Sequence, residues 1–169
     1  MRTRHTGWPI LNGKDSNGYL WSICNMAGAY YRYEPTRSGK VAVEMLKDYT
    51  GPVLSDAYSG YNRVKKENSC PHGLCWSHGR RNFYEIRANH PEDCTQILLM
   101  IDELFAVERE ACGSFEKLKG LQEHKSRGIV DRIKKWLEEK RLKYLLDDDE
   151  MGTSIRYFLV CWKEFTLFL

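Results

Sequence analysis

Apolar and polar positions follow different periods in the two halves of this 169-residue chain. Up to about residue 35, apolar and aromatic side chains alternate with polar ones, the period-2 signature of half-buried strands. Three such runs stand out, at residues 8–11, 19–24 and 29–33. Asn12-Gly13 and the stretch from Asn25 to Gly28 supply turn chemistry between them, which predicts an antiparallel three-stranded meander. A helix over 39–49 follows, with Ser38 as N-cap and Val41, Met45 and Tyr49 on one face. Gly51-Pro52 ends that helix and opens a short apolar strand over 52–54, which delivers Asp56 at its C-terminal end. A short helix over 61–67, a fifth strand over 73–76 and a helix over 78–86 complete this part.

From Pro91 onward the period becomes helical. Ile97, Met100, Ile101, Leu104 and Phe105 share one helix face, and Ile129, Ile133, Trp136, Leu137 and Tyr144 share a second, over 126–146. A last helix turns Ile155, Phe158, Leu159, Trp162, Phe165 and Phe168 inward. The acidic run from Asp147 to Glu150 reads as a solvated helix start, because carboxylates favour the positive end of the helix dipole. The expected architecture is therefore α/β. Residues 1–90 form a mixed core part, and residues 91–169 a helical insertion and C-terminal helices of the same domain.

Composition changes this picture little. No run of about eighteen apolar residues is present, and the start Met1-Arg-Thr-Arg-His5 lacks the apolar segment of a secretory signal. Six cysteines without other signs of export read as reduced thiols. Charge is uneven: residues 1–90 carry 13 basic against 7 acidic side chains, residues 91–169 carry 13 against 16. A basic N-terminal half is compatible with a nucleic-acid-facing surface.

Two segments carry candidate chemistry. In the first, from Gly51 to Asn62, Asp56 leaves a strand at the end where α/β sheets gather ligands, so it is a candidate metal ligand. A turn or cap role is the alternative. The second is Cys75-Trp76-Ser77-His78-Gly79-Arg80-Arg81-Asn82-Phe83. Arg80 and Arg81 near a helix start suit phosphate contacts, or equally a salt bridge to an acid such as Glu85. Trp76, Tyr58 and Tyr61 read as packing residues rather than stacking platforms. Cys70, His72, Cys75 and His78 are all zinc-ligand types, but two such close pairs lack the separated arms of a usual structural site.

Taken in order and spacing, the two segments resemble the transposases of the insertion sequence 66 family, which are DDE-type enzymes with a ribonuclease H-like core. The residues that carry the resemblance are Asp56, Tyr58, Gly60, Tyr61 and Asn62, then Cys75, Trp76, His78, Arg80, Arg81 and Phe83. It extends to Gly18-Tyr19-Leu20-Trp21, Arg37-Ser38-Gly39 and Ile155-Arg156-Tyr157. The resemblance implies metal-dependent phosphoryl transfer on transposon-end DNA in the bacterial cytoplasm. Asp56 would be the catalytic Asp of the fourth strand and a ligand to Mg²⁺. It also implies two further carboxylates that do not transfer. Arg4 aligns with the family's first Asp, and the segment bearing the final Glu would follow Leu169. The expectation is a truncated catalytic core, inactive alone. The alternative is a non-catalytic chain that binds DNA or associates with a full-length transposase or with itself.

Overall fold

The computed structural model of this chain describes residues 4–5, 18–25, 27–144 and 149–169. They fall into two compact units, Met1–Gly73 and Leu74–Leu169.

The first unit opens on the meander. Strand β1 (Arg4–His5) pairs antiparallel with β2 (Tyr19–Asn25), placing Arg4 opposite Leu20. β2 pairs antiparallel with β3 (Gly28–Glu34) in one unbroken register from Tyr19↔Glu34 to Asn25↔Gly28. The turn between them follows from Asn25, whose Oδ1 accepts from the backbone N–H of Ala27 (2.8 Å) and Gly28 (3.1 Å). The predicted strand over 8–11 lies outside the described residues.

Helix α1 (Gly39–Met45) starts where Ser38 Oγ accepts from Lys40 N. It stops short of the predicted Tyr49, because Asp48 takes a left-handed φ of 66° that no right-handed helix continues. Tyr49 is accordingly exposed rather than on the buried face. Strand β4 (Val53–Ser55), a 3₁₀ turn (Ser59–Tyr61) and α2 (Asn62–Glu67) follow. The core of this unit gathers Trp21, Val41, Ala42, Leu46, Tyr61, Val64 and Cys70. β4 forms a separate two-stranded sheet with β5 (His72–Leu74). The fifth strand thus ends two residues before the expected Trp76, with Cys75 capping the next helix.

The second unit is helical: α3 (Trp76–Glu85), α4 (Pro91–Glu110), α5 (Phe115–Leu121), a π-turn (Gln122–Ser126), α6 (Arg127–Lys143), α7 (Glu150–Val160) and α8 (Trp162–Phe165). Pro91 occupies the first turn of α4, Ser114 caps α5, and Asp149 caps α7 by accepting from Met151 N. The last predicted helix is two helices, since Cys161 (φ −98°, ψ 18°) leaves helical geometry between α7 and α8. That bend lets Phe165 stack on Phe158 at 4.3 Å, and Trp76 Nε1 donate to the Phe165 carbonyl at 2.8 Å. No helix among the described residues is long and apolar enough to cross a membrane.

Candidate active site

Asp56 follows β4 directly, so the strand fixes where its carboxylate emerges. Oδ1 accepts from Tyr58 N at 3.0 Å, a local turn that sets the side-chain rotamer. The strand end is anchored by a buried polar pair. Ser55 Oγ donates to the Asp56 carbonyl (2.7 Å) and lies 2.6 Å from His72 Nε2 on β5. With its single proton spent on that carbonyl, the Ser55 hydroxyl accepts from His72, which assigns the Nε2–H tautomer. Ser55 and His72 are 1% and 7% exposed, so this tie is shielded from water.

The Tyr/Gly segment after Asp56 is packed rather than loose. Tyr58 Oη donates to the Arg37 carbonyl at 2.7 Å, and the Arg37 guanidinium carbon lies 3.9 Å from the Tyr58 ring centroid. Tyr61 meets Tyr58, Trp21 and His72 edge-on, at 5.6, 6.1 and 6.4 Å. Gly60 passes so close to the start of α1 that a Cβ on Gly39 would lie 2.2 Å from the Gly60 carbonyl oxygen. Asn62 opens α2 and is exposed. Burial pushes the Tyr61 hydroxyl pKa well up, the Asp56 charge adds to this, and Arg37 opposes it. The hydroxyl is therefore a neutral donor.

The second candidate segment lies in the helical unit. Trp76 and Phe83 are core residues; Phe83 stacks on Phe158 at 5.4 Å and meets Trp136 edge-on at 6.2 Å. Arg80 grips Asp102 of α4 with two bonds, Nε to Oδ1 at 2.8 Å and Nη2 to Oδ2 at 3.1 Å. Arg80 thus carries a salt bridge, made to Asp102 and not to Glu85. Arg81 is exposed and pairs with no acid among the described residues. His78 Nδ1 is buried without a partner, and Cys75 is half-buried.

Neither metal reading finds a complete ligand set. No three His, Cys, Asp or Glu side chains are grouped to hold a metal ion among the described residues. Cys70 Sγ instead donates to the Tyr49 carbonyl at 2.9 Å, and His72 faces Ser55. Asp56 brings a single carboxylate to its strand end, which by itself does not fit a two-ion centre.

A family model described as Transposase IS66 family matches residues 5–169. The chain belongs to the IS66 transposase family. Two curated relatives from Sinorhizobium fredii (strain NBRC 101917 / NGR234) are similar. Uncharacterized protein y4qI is 25% identical over 166 residues, covering 88% of this chain and 31% of the relative. Uncharacterized protein y4jD is 24% identical over 147 residues, covering 82% of this chain and 29% of the relative. The chain thus spans under a third of these relatives' length. No solved structure matches it at a significant level. In this IS66 family chain, sequence reasoning missed Ser55, whose role needs the β4–β5 pairing to be known. It also passed over Arg37, which was visible only as part of a turn.

Proposed function

We propose that this chain is a segment of the catalytic domain of a DNA-transposing enzyme, ribonuclease H-like in plan, and that Asp56 is one carboxylate of its DDE-type centre. The observation that carries this reading is Asp56 itself: in an IS66 family chain it stands at the end of a short strand pinned by the buried Ser55–His72 pair, with one carboxylate oxygen held and the other uncommitted. Meander, helix and then a strand ending in a carboxylate is the element order expected of such a core. The other carboxylates, and with them Mg²⁺ binding, belong to the complete protein. The chain alone is expected to nick no DNA in Mg²⁺ or Mn²⁺. Arg81, exposed and unneutralised, is the better placed of the arginine pair to meet DNA; Arg80 beside it is held by Asp102.

The test is Asp56→Asn in a complete transposase carrying this segment, scored as transposition frequency from a donor plasmid. Groups of this kind act as one unit, so the expected fall is at least about 10³-fold. Parent-like transposition would overturn the reading. The lone carboxylate also favours a second reading, a non-catalytic chain that binds DNA or a full-length transposase. Salt-dependent DNA affinity, with no metal-dependent cleavage even when the complete protein is assayed, would select it.

A further inference from the structure

The meander sheet of the first unit has two edges, and they differ. Among the described residues β1, at one edge, is two residues long, and β3, at the other, is seven. An edge strand presents a row of unpaired N–H and C=O groups to any chain that can pair with it. Proteins blunt such edges by shortness, lysine, proline, bulges or a covering element. β1 is blunted by its length. β3 has no lysine or proline, and its register with β2 runs unbroken from Gly28 to Glu34. None of its seven residues is buried, and beyond β2 no strand pairs with it among the described residues. Its two charges are satisfied within the unit, since Arg32 Nε lies 2.5 Å from Glu34 and Arg32 Nη1 lies 3.2 Å from Glu44.

The surface that β3 presents is aromatic. Tyr30, Tyr31 and Tyr33 are 57%, 61% and 49% exposed. Alternation puts Tyr31 and Tyr33 on the face opposite the buried Trp21, and the pairing of Leu20 with Tyr33 adds an exposed leucine to it. On β2 and β3 that face carries no charged residue.

The strand's own sequence identifies what fits this edge. One antiparallel register of β3 against a second copy of itself pairs all seven residues, and it places a two-fold axis at Tyr31. In that register Tyr31 faces its own counterpart, Tyr30 faces Arg32, Ala29 faces Tyr33 and Gly28 faces Glu34. No like charges meet, and Tyr30 brings an aromatic ring to a guanidinium. The register centred on Arg32 sets that arginine against itself, and the one centred on Tyr30 leaves Tyr33 and Glu34 without partners in the strand.

We propose that β3 is a self-association edge: two copies of this chain pair β3 against β3 about a two-fold axis at Tyr31, forming one continuous sheet. The pairing covers both long edges and leaves only the short β1 edges, so the assembly closes at the dimer. The inference stands apart from the reading of Asp56. Three half-exposed tyrosines present roughly 300 Å² per copy, below the size of an obligate interface, so the dimer is reversible and concentration-dependent.

The test is sedimentation velocity on the 169-residue chain between about 1 μM and about 1 mM. The mass is expected to rise with concentration from the 19.8 kDa of one chain to twice that value and no further. Tyr31→Lys and Tyr31→Glu each set like charges against one another at the axis and are expected to weaken the dimer by at least about 10-fold. Mixed in equal amounts, the two variants set opposite charges there and restore it. A parent chain still monomeric at about 1 mM overturns the proposal. So does a dimer indifferent to Tyr31→Lys, a mixture no more associated than its components, or a mass that climbs past the dimer without limit. Amide hydrogen exchange of the parent chain needs no substitution. Raising the concentration is expected to slow exchange chiefly within Gly28–Glu34, and β3 amides that ignore concentration overturn the pairing.

Discussion

Asp93 offers the most quantitative test of how the helical unit is held. It sits in the first turn of α4, 6% exposed, and accepts from Lys140 Nζ (2.6 Å), Lys143 Nζ (2.9 Å) and Tyr144 Oη (2.6 Å). Burial alone would raise its pKa, but the hydrogen bonds from Lys140, Tyr144 and Lys143 outweigh it and hold the carboxyl far below its ordinary 3.8. In Asp93→Ala the three donors fare differently. Lys143, with a side chain 59% exposed, returns to water at almost no cost. Lys140, 24% exposed, recovers part of its solvation. The Tyr144 hydroxyl, on a residue 8% exposed, is left without its acceptor. Together these give an expected loss of about 2–4 kcal/mol, most of it from the orphaned hydroxyl and the partly buried ammonium. Asp93→Asn keeps an acceptor for Tyr144 and should lose about half as much. Urea denaturation followed by tryptophan fluorescence measures both, provided the m-value is unchanged. The pH dependence fixes the sign. A depressed native pKa contributes stability that is complete above the unfolded value of 3.8 and is lost as pH falls below it. The gap between parent and Asp93→Asn should therefore begin to narrow below about pH 5 and go on closing toward about pH 1. A cost for Asp93→Ala under about 0.5 kcal/mol, or a gap that ignores acid, refutes the reasoning.

Two further substitutions probe packing and the site scaffold. Gly79→Ala should gain about 1 kcal/mol of helix propensity. Its Cβ would, however, lie 2.4 Å from a Phe158 ring carbon and 3.0 Å from Phe165. Overpacking of this kind costs about 1–3 kcal/mol, so the net effect is a lower melting temperature, and a parent-like or raised one would contradict the stack. Ser55→Ala removes the oxygen that His72 Nε2 meets at 2.6 Å and should cost about 1–3 kcal/mol. Hydrogen exchange of the β4 and β5 amides should accelerate with it, whereas unchanged protection would show that the pair does not hold the strand end.

Alternation and turn chemistry made the β2–β3 hairpin, α1 and β4 legible, because each has a buried face or a side chain that bonds its own backbone. Asn25 and Ser38 do the latter. The misses have two causes. Where an element buries nothing, periodicity carries no signal: α5 has no buried residue, and Phe115 in it is 74% exposed, so only Ser114 marked its start. Where tertiary packing overrides a local pattern, the pattern misleads. Trp76 reads as the end of a strand until Phe158 and Phe165 draw it into a helix core. Asp56 was legible from its position after an apolar run. Its surroundings were not, because Tyr58 links the Asp56 turn to Arg37 and His72 holds Ser55 from β5, contacts that only the fold brings together.

Asp56 and Asp93 show how the structure separates a carboxylate that holds the fold from one that does not. Asp93 is saturated: three side-chain donors converge on its two oxygens, and nothing further can approach without displacing one of them. Asp56 receives one backbone donor on Oδ1, and among the described residues Oδ2 takes none. Folding alone does not account for that difference. A carboxylate at a strand end could be capped fully by nearby groups, yet the Tyr61 hydroxyl, on which the Asp56 charge acts, does not bond to it. A site that leaves an acceptor and a donor uncommitted loses stability that a structural site would keep, and proteins tolerate such losses mainly where a ligand later fills the gap. Asp56→Asn tests that inference directly, since it should keep the melting temperature of this chain and abolish transposition by the complete protein, a pairing that a merely structural carboxylate cannot produce.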